Sequence, residues 1–206
     1  MMGDLDDNSF YPEAKISSGR GKDICEAVIL AGGKSSRMGK DKCSLTLDGR
    51  TLLVHVKEAL LAAGFEPKVV VDDLLPNLGP IGGVITALQK TERNCVMFLG
   101  CDMPFLSGDL LCDFFKIAMQ VETAIFSSHS KGMGFPFLIY CEDLKKVQEQ
   151  INNGEFSLQR LAIKLSARSW VPSKRFEYQL CQPMLFRYEG NSKQSYFLDL
   201  DRFQSS

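Results

Sequence analysis

Lys34, Arg37, Lys40 and Lys42 put four positive charges within nine residues, directly after Gly32-Gly33. The apolar run Ala27 to Ala31 leads into those glycines and has the composition of a short buried parallel strand. Without side chains, a Gly-Gly pair lets backbone N–H groups come close to a ligand. A strand, a glycine turn and then clustered cations is a way to build a cradle for a polyphosphate. The spacing excludes two familiar versions of such a cradle. A Walker loop needs four residues before Gly-Lys and then Ser or Thr, whereas Gly33 and Gly39 bracket five and Asp41 follows Lys40. There is also no G-x-G-x-x-G dinucleotide fingerprint. The plainer reading of the same residues is a solvated basic loop after a core strand.

Asp102 is the second residue whose placement could do chemistry. It follows the apolar run Cys95 to Leu99, so it stands at the C-terminal end of a predicted strand, the edge where open α/β sheets bind ligands. Mg²⁺ takes one or two carboxylates together with phosphates and waters, so a single aspartate there suffices. Its alternative role is a turn or helix cap. Asp72 and Asp73 follow the predicted strand Pro67 to Val71 at the same edge. His55 falls on a predicted helix away from other ligand types and is expected to be a surface or partly packed residue. Cys43 and Cys101 adjoin the cradle, and a packing role is expected for both.

The order of these residues resembles a known signature. Leu30-Ala-Gly-Gly-Lys-Ser-Ser-Arg-Met-Gly-Lys-Asp-Lys42 is similar to the L-A-G-G-x-S-x-R-M-G-x-D-K motif of the molybdenum cofactor guanylyltransferases, within the nucleotidyltransferase superfamily. Gly79-Pro-Ile-Gly-Gly83 and Gly100-Cys-Asp-Met-Pro104 follow in the family's order. The resemblance runs from about Glu26 to the C-terminus and is dense in the first half of that span. It implies a nucleotide site formed by Leu30, Ala31, Gly32, Gly33, Lys42, Asp73, Gly79 and Asp102. Lys42, Arg37 and Asp102 would carry the chemistry, with Asp102 holding Mg²⁺. Leu30-Ala-Gly-Gly33 sides with the guanylyl enzymes rather than the Leu-Ala-Ala-Gly of cytidylyl relatives. Asp73 would accept from the N1 and N2 donors of guanine. The implied reaction transfers GMP from GTP to the phosphate of molybdopterin cofactor. Molybdoenzymes or cofactor-insertion proteins would be its partners.

The sequence also departs from the family in two places. The stretch between Pro67 and Gly83 is shorter by roughly one βα element, where relatives carry part of their base or ribose contacts. Phe197-Leu-Asp-Leu-Asp201 stands where relatives have F-x-N-x-N-T-P, so Asp201 is open between a metal ligand, an active-site acceptor and a surface turn residue. These departures keep two other functions open: a nucleotidyltransferase of the same fold with another phosphate acceptor, and a non-catalytic nucleotide or cofactor carrier.

The elements that would position these groups read as an α/β chain. Helices are expected over Leu52–Ala63, after Gly79–Gly83 as far as Leu88, from Ser107 to Ala118, and around Leu144–Ile151 and Leu158–Leu165. Strands are expected at Ala27–Ala31, Pro67–Val71, Cys95–Leu99, Thr123–Phe126 and Pro136–Tyr140, with short β runs at Leu185-Phe186 and Tyr196–Leu198. Ser127 to Gly134 reads as a glycine-bearing loop. Strand–helix alternation predicts a mostly parallel sheet with right-handed crossovers. Together with the resemblance, this gives a single-domain, Rossmann-like, three-layer α/β/α fold of the nucleotide-diphospho-sugar transferase type. Residues 24–206 would form it, and 1–23 would be a poorly ordered or accessory leader.

Composition sets the remaining bounds. With 206 residues, 45% hydrophobic and 24% charged, the chain can bury a substantial core. A formal net charge of −1 argues against a general nucleic-acid or membrane-surface binder. Seven cysteines form no C-x-x-C pair, so no structural zinc motif is present. This cysteine usage, with an N-terminal stretch lacking a hydrophobic signal core, leads to the expectation of a cytoplasmic protein.

Overall fold

The computed structural model describes residues 23–31, 45–70, 78–129, 132–180, 185–188 and 195–198. Its centre is a six-stranded sheet built from β1 (Cys25–Leu30), β4 (Pro67–Val70), β5 (Cys95–Gly100), β6 (Ile125–His129), β7 (Gly132–Tyr140) and β8 (Arg168–Trp170), in the order β4-β1-β5-β7-β6-β8. β1 pairs in parallel with β4 and β5, and β6 with β8. β7 alone runs against its neighbours β5 and β6.

The sheet is buried on both faces because β5 and all of β1 except Glu26 are apolar or small. Cys25, Ala27 and Ile29 of β1 and Cys95, Met97 and Leu99 of β5 face one layer. That layer is α1 (Leu52–Ala62), through Val56 and Leu60, and α3 (Gly108–Val121), through Leu110 and Phe114. Val28, Leu30, Val96 and Phe98 face the other layer, formed by α2 (Pro80–Lys90), α4 (Leu144–Asn152) and α5 (Leu158–Lys164). Alternation of period two thus sorts one continuous apolar run between two cores. On the α2 side Phe98, Phe137 and Phe126 are register partners across β5, β7 and β6, with ring centroids 4.9 and 4.5 Å apart.

Residues 125–140 correct the sequence expectation. The loop expected over Ser127–Gly134 is instead the end of a hairpin, with Ser127 opposite Gly134 and His129 opposite Gly132. Polar and glycine residues at the end of a strand still pair their backbones. The buried Ser127 hydroxyl donates to the Pro136 carbonyl at 2.7 Å. The hairpin returns β7 between β5 and β6, so a uniform series of parallel crossovers gives way to one antiparallel strand. Gly82 and Gly83, expected in a turn, lie buried inside α2.

Two further elements flank the sheet. β2 (Thr46–Leu47) and β3 (Arg50–Thr51) form a hairpin whose Asp48 and Gly49 have φ of 50° and 77°, the positive values a two-residue type I′ turn requires. Half-buried His55 of α1 donates from Nε2 to Leu47 O at 2.9 Å, tying the hairpin to the helix. After β8 a 3-10 turn over Lys174–Leu180, which the sequence reading does not anticipate, packs Phe176 and Leu180 into the α1/α3 core. β9 (Leu185–Tyr188) and β10 (Ser195–Leu198) pair antiparallel with each other. Among the described residues no helix is long and apolar enough to cross a membrane.

Candidate nucleotide site at the strand ends

Three parallel strands finish together. Leu30 and Gly100 are register partners at the ends of β1 and β5, and Leu30 pairs with Val70 at the end of β4. The chain then crosses over the neighbouring ends: Ala31 N donates to Val70 O at 2.9 Å and Cys101 N to Leu30 O at 3.3 Å. Ala31 and Cys101 are both buried, which fixes the exit direction of each segment. The segment leaving Ala31 carries the cation-rich signature and returns at Leu45, which is also buried and accepts from Leu52 N at 2.8 Å. Residues 32–44 lie between those two anchors, and Gly32, Gly33, Lys34, Arg37, Lys40 and Lys42 are outside the described residues. So are Asp73 and Asp201.

Asp102 leaves the end of β5 partly exposed, while Cys101, Met103 and Pro104 around it are buried. Its Oδ1 lies 3.0 Å from where a Cβ on Gly100 would stand, and the Phe135 ring of β7 lies 3.5 Å from the same point. The carboxylate is therefore folded back over the end of its own strand. The turn closes with Leu106 N donating to Met103 O at 3.3 Å. α3 then starts at Ser107, whose Oγ accepts from Leu110 N. The backbone N–H of Ser107 donates to Oε1 of Gln179, a buried residue of the 3-10 turn, at 3.0 Å. Nothing local in the sequence announces that partner.

Gly79 caps α2 with φ 63° and ψ −150°, a backbone that favours glycine, and Pro80 occupies the first turn, where a missing N–H costs nothing. A crossover helix between two parallel strands runs antiparallel to them. The N-terminus of α2 therefore opens at the edge where β1, β4 and β5 end. Leu78 packs into the core that contains Leu30 and Ile81, which holds the helix start against that edge. Free N–H groups and the positive end of the helix dipole favour an anion there.

The structure thus brings Leu30, Ala31, Gly79 and Asp102 to one edge. Among the described residues no group of three or more His, Cys, Asp or Glu side chains could hold a metal by itself. The donor set fits a hard cation completed by phosphate oxygens and water: one partly exposed carboxylate beside a helix N-terminus. It does not fit a closed structural site.

Comparison with known proteins shows the family and the fold. A family model described as a MobA-like NTP transferase domain matches residues 27–73 and 68–168, the two matches meeting in the stretch that reads as shortened. A probable molybdenum cofactor guanylyltransferase of Flavobacterium johnsoniae is 31% identical over 117 residues, 50% of this chain and 62% of that protein. A molybdenum cofactor guanylyltransferase of Syntrophotalea carbinolica is 41% identical over 100 residues, 41% of this chain and 47% of that protein. The chain thus spans about half the length of the curated relatives it matches. Among solved structures, molybdopterin-guanine dinucleotide biosynthesis protein A from Archaeoglobus fulgidus superposes with TM-score 0.60 at 18% identity, over 71% of this chain and 83% of that one. A 4-diphosphocytidyl-2C-methyl-D-erythritol synthase from Anaerococcus prevotii gives TM-score 0.56 at 12% identity, over 75% and 88%. The fold is the one these solved structures share.

Proposed function

The chain belongs to the MobA-like NTP transferase family, and on that footing we propose that it transfers GMP from GTP to the terminal phosphate of molybdopterin cofactor. An acceptor phosphate oxygen attacks the α-phosphorus, the bond from that phosphorus to the β-phosphate bridging oxygen breaks, and pyrophosphate departs with the electron pair. The product is a guanine dinucleotide form of the cofactor.

The observation that supports this most directly is the pairing of Leu30 with Gly100. It sets the start of the signature loop and the Asp102 turn on adjacent strand ends, within reach of one triphosphate. Lys42 would neutralise phosphate charge, Arg37 would present a guanidinium fork to phosphate oxygens, and Gly32 and Gly33 would offer backbone donors. Leu30 and Ala31 would form the floor beneath the nucleoside, and Asp73 would read the guanine edge. Asp102 would hold Mg²⁺, with Asp201 as a further ligand. When bound, that ion supplies charge stabilisation at the reacting phosphates. In-line transfer of this kind needs positioning and electrostatics and no protein nucleophile.

We place the activity in the cytoplasm, with molybdoenzymes or cofactor-insertion proteins receiving the product. The shortened stretch before Gly83 and the changed Phe197–Asp201 segment favour a second reading in which the same transfer serves another phosphate acceptor.

The test is pyrophosphate release from GTP, CTP, ATP and UTP, with and without Mg²⁺ and molybdopterin cofactor. GTP-selective release that needs both is expected, and Lys42→Ala should lose it. Release with GTP and a different acceptor would leave the second reading. Nucleotide binding without release under any condition would make the protein a carrier and overturn the transferase assignment.

A further inference from the structure

The space above Gly100 is the least expected feature of this edge. Gly100 ends β5 and is not among the described glycines with positive φ, so backbone conformation does not demand glycine there. Space does. A Cβ at this position would come within 3.0 Å of Asp102 Oδ1, and within 3.5 and 3.6 Å of two carbons of the Phe135 ring. The ring contacts are ordinary van der Waals distances, but the carboxylate contact is not. Phe135 is itself held, with its centroid 5.1 Å from that of Phe137 and packing against both cores. The flexible group at this point is therefore the Asp102 carboxylate.

We infer that Gly100 is a positioning residue for the metal-binding carboxylate. Its missing side chain leaves the place that Asp102 Oδ1 takes, and the Phe135 ring borders that place. This rests on the proposed role of Asp102 and assigns what holds it. A methyl group at residue 100 is cheap for the fold, because a side-chain end yields rather than backbone. It is costly for the site, because what yields is the ligand.

The experiment measures Mn²⁺ binding to the full-length protein with GTP and no acceptor, by electron paramagnetic resonance, so that turnover plays no part. Thermal unfolding is followed in parallel for the wild type, Gly100→Ala, Phe135→Leu and Asp102→Ala. Gly100→Ala is expected to weaken Mn²⁺ by about tenfold or more, the usual consequence of disturbing what orients a metal ligand. Its metal-free melting temperature should match wild type, and Phe135→Leu should weaken the ion less. Wild-type Mn²⁺ affinity in Gly100→Ala, with Asp102→Ala defective, would overturn the positioning role and leave the proposed function standing. No protein-dependent Mn²⁺ binding by the wild type would overturn both. A lowered melting temperature in Gly100→Ala accompanied by unchanged metal affinity would make Gly100 a packing residue only.

Discussion

Leu30 and Gly100 face each other across β1 and β5, and the next amide on the β5 side, Cys101 N, donates back to Leu30 O at 3.3 Å. That bond stitches the two strand ends past the last regular pair. It keeps the origin of the signature loop and the Asp102 turn from moving apart. The proposed chemistry depends on this juxtaposition, because no single segment carries both the cations and the carboxylate.

Asp102→Asn keeps size and most hydrogen bonding while removing the charge. If Asp102 is the metal ligand, turnover at saturating GTP should fall on the order of a hundredfold or more, the scale of losing one charge-stabilising group. Steady-state pyrophosphate release reads this directly. A variant within twofold of wild type would remove Asp102 from the chemistry.

Gly100 and Gly108 should behave oppositely when each is changed to alanine. At Gly108 a Cβ would sit 2.9 Å from Ala62 Cβ and 3.0 Å from backbone atoms of Ala62 and Ala63, which cannot rotate away. Overpacking of that kind costs about 1–3 kcal/mol. It outweighs the helix-propensity gain from replacing glycine, which is at most about 1 kcal/mol. Urea unfolding should show Gly108→Ala destabilised with its metal affinity intact, whereas Gly100→Ala stays within about 0.5 kcal/mol of wild type.

Gln179 reaches back over 72 residues to the start of α3, accepting the Ser107 N–H. Gln179→Ala would strand a partly buried donor and free the Lys174–Leu180 turn, so a loss of about 1–3 kcal/mol is expected. Ser107→Ala removes the cap to Leu110 N and should cost about 1 kcal/mol. Because both act on one helix end, the double variant should lose less than the sum. Strict additivity would show that the two bonds act independently.

The Cys25 thiol is held well above the ordinary thiol range, first by the neighbouring Cys95 thiol, its register partner on β5, and then by burial. The folded state therefore keeps a proton that the unfolded chain gives up. Its contribution to stability is complete below pH 9.0 and declines as pH rises beyond that value. Urea midpoints measured from pH 7 to pH 10 (about the range over which an unfolded thiol ionises) should fall more steeply for wild type than for Cys25→Ala. Superimposable slopes would exclude the coupling. Iodoacetamide mapping should find Cys25 and Cys95 unmodified until the protein unfolds.

Much of this fold is legible in residue order because its signals are local and periodic. The all-apolar run Cys95–Leu99 reads as a doubly covered strand and forms β5. Ser107 and Ser157 cap the helices they precede, and Asp48-Gly49 makes the hairpin turn it encodes. The signature Leu30–Lys42 and the Gly100–Pro104 motif carry the family resemblance, since the proposed phosphate site depends on the type and spacing of glycines, cations and a carboxylate. The tertiary structure decided what depends on contacts between distant segments. It put β7 antiparallel between β5 and β6, because pairing is set by where a strand docks and not by its own composition. It brought Gln179 to Ser107, Phe135 to Gly100, and the ends of β1 and β5 into one edge. Side-chain identity alone carries no record of such neighbours. They exist only once the two cores have closed on the sheet and left those backbone positions a single place to stand.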